Sequence, residues 1–334
     1  MTTEIELRGL TRADIPAWNH LLAEVEKIDQ SGEHYNEADL AEEMANPAIE
    51  VGKDIVGAFV DGDLVGYFAI YPRAVTGGVH KIHVEGTVRP DLRGRGVGTR
   101  LGSAMRQRAV AAHRERHPEL PAMLMLRGLS DNVEQAGLLA DLGLAPERWS
   151  FCMRADLARP TPPPAPLPEG LDLQRYDDSV AVGMHDAHNA AFVDHPNFTP
   201  WSDSEWRQWV TGSRNFRPQL SFVVVDPAHG GQVAAYLQTN EYDAYQEMTG
   251  RREAYVGKVG TRREYRGRGL ASTLLRHALQ EYRDAGFDEA SLDVDSENPT
   301  GALGIYERAG FEVETRWTDY TGRVAPADIP GADS

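Results

Sequence analysis

Arg89-Pro90-Asp91-Leu92-Arg93-Gly94-Arg95-Gly96-Val97-Gly98 has a second copy in the same chain, Arg262-Arg263-Glu264-Tyr265-Arg266-Gly267-Arg268-Gly269-Leu270-Ala271. Five of the ten positions are identical, and Arg93 and Arg266 stand 173 residues apart. Solenoid repeats recur every ~20–50 residues, so this interval indicates a duplicated domain instead. Each copy follows a strand-like run (79–88; 254–261) and precedes a helix-like one (97–116; 270–285). At such a turn, small residues let backbone N–H groups approach a ligand, and the helix N-terminus favours negative charge. The neighbouring arginines add donors in a fork suited to phosphate oxygens, which makes a diphosphate the natural guest. The pattern matches neither the phosphate loop of nucleotide hydrolases nor the Gly-x-Gly-x-x-Gly of dinucleotide folds, which disfavours those chemistries.

The flanks repeat as well. In the first half, 55–60 and 64–71 are short apolar runs joined by Asp61-Gly62-Asp63, a hairpin signal, and 221–225 with 232–239 take the same place in the second half. After the loop and its helix each half has a strand (122–126; 290–294), a shorter helix (132–142; 300–309) closed by Gly143 or Gly310, and a last strand (148–153; 312–320). Amphipathic stretches at 14–27 and 180–192 precede the hairpins. The order per half is β-α-α-β-β-β-α-β-α-β. This predicts an α/β (α+β) fold of two tandem domains, each a mixed, mostly antiparallel sheet flanked by helices.

Between the halves, 159–168 carries six prolines within Pro160–Pro168, which favours an extended chain over helix or central strand. The expected organisation is therefore a first domain at 1–158, a linker at 159–168, a second domain at 169–325 and a flexible tail at 326–334. The 334 residues, 41% hydrophobic, are enough for two packed cores. With 51 acidic against 34 basic side chains the formal net charge is −17. That argues against a general nucleic-acid or anionic-membrane binder and suits a cationic small molecule, although acidity also serves solubility. The single cysteine, Cys152, excludes an intramolecular disulfide framework and a cysteine-cluster metal site. Neither an apolar run of membrane-spanning length nor a signal-peptide pattern is present, so a cytoplasmic location is expected.

Arg266-x-x-Gly269-x-Ala271 and Arg93-x-x-Gly96-x-Gly98 resemble the acyl-CoA diphosphate loop of the GCN5-related N-acetyltransferases. Asn298-Pro299-Thr300-Gly301-Ala302-x-x-x-Tyr306-Glu307-x-x-Gly310-Phe311 is similar to that family's second motif, which lies beside the pantetheine arm. Within the family, the tandem layout and the Asp295-Ser296-Glu297-Asn298 run look most like mycothiol synthase and its actinobacterial relatives. The resemblance implies acetyl-CoA as cosubstrate and transfer to a primary amine of a small molecule. It places the cofactor on Val259, Thr261, Arg266, Gly267, Arg268, Gly269, Leu270, Ala271 and Asn298 in the second half. In the first half the matching positions are Val88, Arg93, Gly94, Arg95, Gly96, Val97 and Gly98.

Such a transfer needs a polarised thioester carbonyl, a base for the amine and an acid for the departing thiolate. The resemblance makes Tyr306 the acid; the same step back from the helix-closing glycine meets Leu139 in the first half, which cannot donate a proton. It makes Glu253 the base, acting through water, with Glu241, Asp243 and Glu247 as rivals in what reads as an irregular polar segment. The carbonyl would meet main-chain N–H groups near Val259–Thr261. At the place of Glu253 the first half has His80, read as a surface imidazole. The second half is thus expected to carry the chemistry, and the first either to bind CoA or to serve as scaffold.

His185, His188 and His195, with Asp186 and Asp194, lack the i, i+4 histidine spacing of a helical zinc site, and no metal is called for. An acceptor would enter across 194–201 and the following Trp206, Arg207 and Trp209, whose aromatics could stack on a cationic amine; equally, Trp206 and Trp209 could be the buried face of a short helix. A cysteinyl amine of a pseudodisaccharide thiol, an antibiotic amine, an amino acid or a metabolite amine all remain open. So do a monomer or homodimer, a non-catalytic acyl-CoA-binding module, and a longer acyl chain.

Overall fold

The computed structural model describes residues 4–160, 162–193, 198, 200–296 and 302–324. The chain divides into two compact units, one formed by residues 1–149 and 316–334, the other by 150–315.

In the first unit the elements are β1 (Glu6–Gly9), α1 (Ile15–Asp29), α2 (Glu37–Met44), β2 (Ile55–Val60), β3 (Asp63–Thr76), β4 (Val79–Val88), α3 (Val97–Arg116), β5 (Ala122–Leu129) and α4 (Val133–Asp141). β1 to β4 form an antiparallel ladder, and β5 joins β4 in parallel. The sheet is completed on β5 by Trp317–Val324 from the far end of the chain. Leu101, Met105, Ala109 and Ala112 of α3 lie on one stripe of that helix and are buried with Ile82, Val84, Leu124 and Tyr320 of the sheet. Trp18, Leu21 and Val25 of α1 pack with Leu40 and Met44 of α2 in a second core.

In the second unit β6 (Ala145–Asp156) leads through 157–171 to β7 (Asp172–Arg175), α5 (Ala181–Phe192), α6 (Asp203–Trp206), β8 (Phe222–Asp226) and β9 (Gln232–Asn240). α7 (Asp243–Thr249), β10 (Glu253–Thr261), α8 (Leu270–Asp284), β11 (Glu289–Asp295), α9 (Ala302–Ala309) and β12 (Glu312–Val324) follow. β7 to β10 are antiparallel neighbours, β11 runs parallel to β10, and residues 150–156 of β6 pair antiparallel with β11. Leu270, Leu274, Leu275, Ala278, Leu279 and Tyr282 of α8 bury against this sheet. Both units are therefore the mixed, mostly antiparallel sheets that the repeat predicts, α7 being an insertion where the sequence reads as irregular.

The units do not follow the halves at their last strands. The strand that ends the first half pairs with β11, and the strand that ends the second half pairs with β5. Alternation explains the fit: Met153 and Ala155 of β6 enter the second unit's core, and Tyr320 of β12 enters the first's. The proline-rich stretch forms neither helix nor strand among its described residues and is tied to α8, where the Arg283 guanidinium donates to the carbonyls of Leu157 (2.9 Å) and Arg159 (3.1 Å). The second domain's expected end falls inside the exchange, and the expected tail, 326–334, lies outside the described residues. Among the described residues no helix is long and apolar enough to cross a membrane.

Candidate active site

Each glycine loop is held open by two left-handed glycines, Gly94 (φ +70°) and Gly96 (φ +86°) in the first unit, Gly267 (φ +74°) and Gly269 (φ +80°) in the second. Gly96 and Gly269 cap α3 and α8 without any side-chain acceptor, so the first amide groups of each helix have no capping oxygen from this residue. A Cβ built on any of the four would meet nothing within 4 Å. Glycine is needed here for its backbone angle, and the space above the loop is open. Helix-end donors facing open space fit an anionic diphosphate.

The first arginine of each loop does other work. Arg93 makes a two-pronged ion pair with Asp29 at the end of α1 (2.7 Å for both contacts) and donates to the Val88 carbonyl. Arg266 donates to the Ala191 carbonyl at the end of α5 (2.7 Å) and to that of Thr261 (3.3 Å). Both guanidiniums brace the loop against a helix C-terminal turn. Their forks hold oxygens of the protein, and the loop's own amides face the open space beside them. Arg268 lies over the Tyr265 ring.

Beside each loop the two parallel strands part. β10 and β11 are paired only over Glu253–Tyr255 and Glu289–Ser291. From Val256 onward β10 keeps its ladder to β9 with a bulge between Val256 and Lys258, and among the described residues its other edge has no strand neighbour. Val259 and Thr261 lie on this open stretch, where a main-chain N–H could meet an acyl carbonyl. In the first unit the pairing of β4 to β5 runs from His80–Ala122 to Val84–Leu126 and then stops.

Tyr306 sits on α9, partly buried against the core and edge-on to Phe311 (ring centroids 6.2 Å). Burial pushes its hydroxyl up to about 12, so it stays a proton donor throughout the neutral range. Its carbonyl accepts from Phe311 N–H (3.1 Å), as that of Leu139 accepts from Leu144 N–H (2.9 Å). The two side chains thus occupy the same place in their helices, and the first unit has only a buried leucine there. Asn298 lies outside the described residues, as do Asp194, His195 and most of the expected acceptor segment.

Glu253 is buried at the first paired position of β10. Its Oε1 accepts from Arg154 Nη1 at 2.6 Å, and Arg154 also reaches Glu289 (3.0 Å) and Glu314 (2.7 Å). Tyr245 of α7 donates to Glu289, which Arg251 also pairs (2.9 Å). Burial raises the Glu253 carboxyl above the ordinary glutamate value, and Arg154 and Ser291 pull against that rise. Arg154, Glu289 and Tyr245 carry no signal in the linear sequence; Arg154 lies on the exchanged strand, 99 residues from its partner. Of the rivals, Glu241 is bound by Arg217 (2.8 Å) and Arg252 (2.8 Å), and Asp243 and Glu247 are exposed on α7.

His80 is not a surface residue. It is fully buried at the first paired position of β4, its Nδ1 3.0 Å from that of His113 and its ring edge-on to His117. Burial and the neighbouring histidines pull it down to about 4, leaving it neutral. Trp206 is buried and Trp209 half exposed, because a π-helical turn over Arg207–Thr211 breaks the spacing that would have put both on one face. His188 hydrogen-bonds the Tyr236 hydroxyl (2.6 Å) and His185 the Trp201 carbonyl (2.8 Å). Among the described residues no three His, Cys, Asp or Glu side chains gather as a ligand set.

A glycine loop at a helix start beside a splayed parallel pair, built twice, defines a duplicated acyl-CoA-dependent transferase fold. The sequence profile of the acetyltransferase (GNAT) family matches residues 18–121 and 182–311. Mycothiol acetyltransferase of Thermobispora bispora is 33% identical over 264 residues, covering 77% of this chain and 79% of that one. Its counterpart in Salinispora arenicola is 31% identical over 267 residues, covering 77% and 76%. A GCN5-related N-acetyltransferase structure from Sphaerobacter thermophilus superposes with a TM-score of 0.78 at 24% identity over 96% of both chains. A tandem GNAT protein from the clavulanic acid biosynthesis pathway does so at 0.71 and 19% identity, covering 97% of this chain and 99% of that one. The chain belongs to the GNAT acetyltransferase family. It is an N-acetyltransferase and acetyl-CoA is its cosubstrate.

Proposed function

We propose that the protein moves an acetyl group directly from acetyl-CoA to a primary amine of a small molecule, with the chemistry in the second unit. One contrast supports this most: a buried carboxylate on β10 and a phenol on α9 belong to the second unit, whereas the first has His80 and Leu139 at those places. Acetyl-CoA supplies an activated thioester. The loop amides at Gly267–Leu270 bind its diphosphate, and the open edge of β10 at Val259–Thr261 polarises the carbonyl. Glu253, raised by burial yet kept ionisable by Arg154, accepts the amine proton through water. Tyr306 hands its proton to the departing thiolate; raised to about 12 it is a weak acid, but a stronger one than water.

The relatives' name makes an amine of mycothiol chemistry the first acceptor to assay, ahead of antibiotic or amino-acid amines. A cytoplasmic location follows for such an acceptor. The test is Tyr306→Phe: turnover with that acceptor falls about 100-fold or more, while acetyl-CoA affinity holds. Unchanged turnover removes Tyr306 from the role.

A further inference from the structure

The first unit holds a cavity of about 650 Å³. Its lining includes Gly94, Gly96 and Thr99 of the glycine loop and α3, together with Glu26 and Glu33 at and beyond the end of α1, which Arg93 ties to the loop through Asp29. The Glu26 carboxylate accepts from Ser31 and Gly32. Glu85 also lines it, at the position where β4 parts from β5. The cavity thus joins a glycine loop, acidic side chains and a carboxyl at the strand opening.

Glu85 belongs to a partly buried chain of proton-bearing groups. Its Oε1 accepts from Tyr71 (2.9 Å) and from Tyr67 (3.2 Å), and the Tyr71 hydroxyl also contacts Glu43 of α2. One hydroxyl carries one proton, so Tyr71 donates to one of the two carboxyls at a time, while Tyr67 brings its own to Glu85. Burial and the facing Glu43 charge push Glu85 up to about 8, against the two tyrosine bonds; burial raises Glu43 in the same direction. Tyr35 and Glu33 complete the titratable groups around Tyr67.

We propose that the first unit is a second acyl-transfer site, in which Glu85 takes the proton of a cationic primary amine bound in this acid-lined cavity. The proposal rests on the family reading for the thioester at the loop. An ammonium group gives one proton to Glu85, its nitrogen forms the C–N bond to the acyl carbon, and the C–S bond breaks. The second nitrogen proton leaves with the thiolate through water, which balances the step without the acid that Leu139 cannot supply. At the same 173-residue interval the second unit has Lys258, held over the Trp201 ring (4.7 Å), so one strand position carries an acid in the first unit and a base in the second.

The experiment uses the full chain with Gly269→Val, which silences the second loop, and follows thiol release from acetyl-CoA with ethanolamine, putrescine and spermidine. Residual transfer should rise with amine charge and with pH, fall about 100-fold in Glu85→Gln, and vanish in Gly96→Val. Tyr71→Phe should move the pH midpoint and leave the limiting rate. Calorimetry of spermidine at pH 7 in two buffers of different ionisation enthalpy should show a proton released on binding, absent in Glu85→Gln. Transfer indifferent to Glu85→Gln, or none with any of the three amines, overturns the proposal. If Gly269→Val instead keeps the full parent rate, the second-unit assignment fails, and the Glu85 comparison still reads the first site separately.

Discussion

Replacing Arg154 with Met tests whether the exchanged strand governs the second unit's base. The guanidinium contacts Glu253, Glu289 and Glu314 at 2.6, 3.0 and 2.7 Å, and its side chain is 15% exposed against 8% and 3% for the first two carboxylates. Glu314 is 44% exposed, so water compensates its loss. The other two cannot be rehydrated, and removing one partner of a buried ion pair costs about 3–5 kcal/mol. Arg251 still reaches Glu289, which puts the expectation near the lower end of that range, about 3 kcal/mol. For a unit of this size that corresponds to a fall in Tm of about 6–12 °C. The sign of the pH dependence follows from Glu253, whose folded value is already raised and rises further without its cation. The deficit is therefore largest at pH 8, where the carboxylate must stay ionised, and shrinks as pH falls toward the ordinary glutamate range. The acidic limb of the rate profile moves to higher pH with it. Thermal unfolding at pH 5 and pH 8, with a pH–rate profile, makes the measurement. A Tm within about 2 °C of the parent at pH 8, with an unmoved acidic limb, would refute the reasoning.

Tyr306, raised by burial to about 12, should give no alkaline limb below pH 10, so the Tyr306→Phe profile should be lowered in parallel over pH 6–9. A change in its shape there would assign the limb elsewhere. Val at Gly269 must adopt φ +80°, a strain of about 1–3 kcal/mol, and should abolish turnover of the main acceptor by closing the loop to the diphosphate; Gly96→Val should spare it. Steady-state rates with the two variants decide. Expressed alone, 1–158 lacks the strand that covers β5, and 169–334 lacks β6 with Arg154. Each should aggregate through an open sheet edge and become soluble only on co-expression, as size-exclusion chromatography would read; a cooperatively folding 1–158 would contradict this.

The fold was legible because its signals are local. The helix at 97–116 and the hairpin from Ile55 could be placed from periodicity, Asp61-Gly62-Asp63 and the glycines, all acting within a few residues. The strand exchange was not, because nothing in 148–153 or 312–320 says which parallel strand it will join. The same gap hid Arg154. His80 was misread because a single imidazole on a strand has no periodicity of its own; its burial comes from His113 and His117 on and after α3, more than 30 residues away. The contacts of Arg93 to Asp29 and of Arg266 to the Ala191 carbonyl were not legible either, since charge near a glycine loop does not show which protein oxygens come within reach.

The duplication separates what the backbone needs from what the chemistry uses. Both copies keep two left-handed glycines, an arginine brace to the preceding helix and a parallel pair that parts beside the loop, since losing any of these costs the loop its shape. At and beside the parting of the strands they diverge, Glu253 against His80, Tyr306 against Leu139 and Lys258 against Glu85. These differences lie in side chains, while the backbone pairing around them is kept in both copies. The net charge of −17 therefore has a local meaning that the total cannot express. In the first unit Glu26, Glu33 and Glu85 line a cavity, while in the second the buried acids are bound by Arg154 and a lysine stands at the strand opening. Any acceptor preference therefore has to be read from each unit's own charges and not from the whole-chain total.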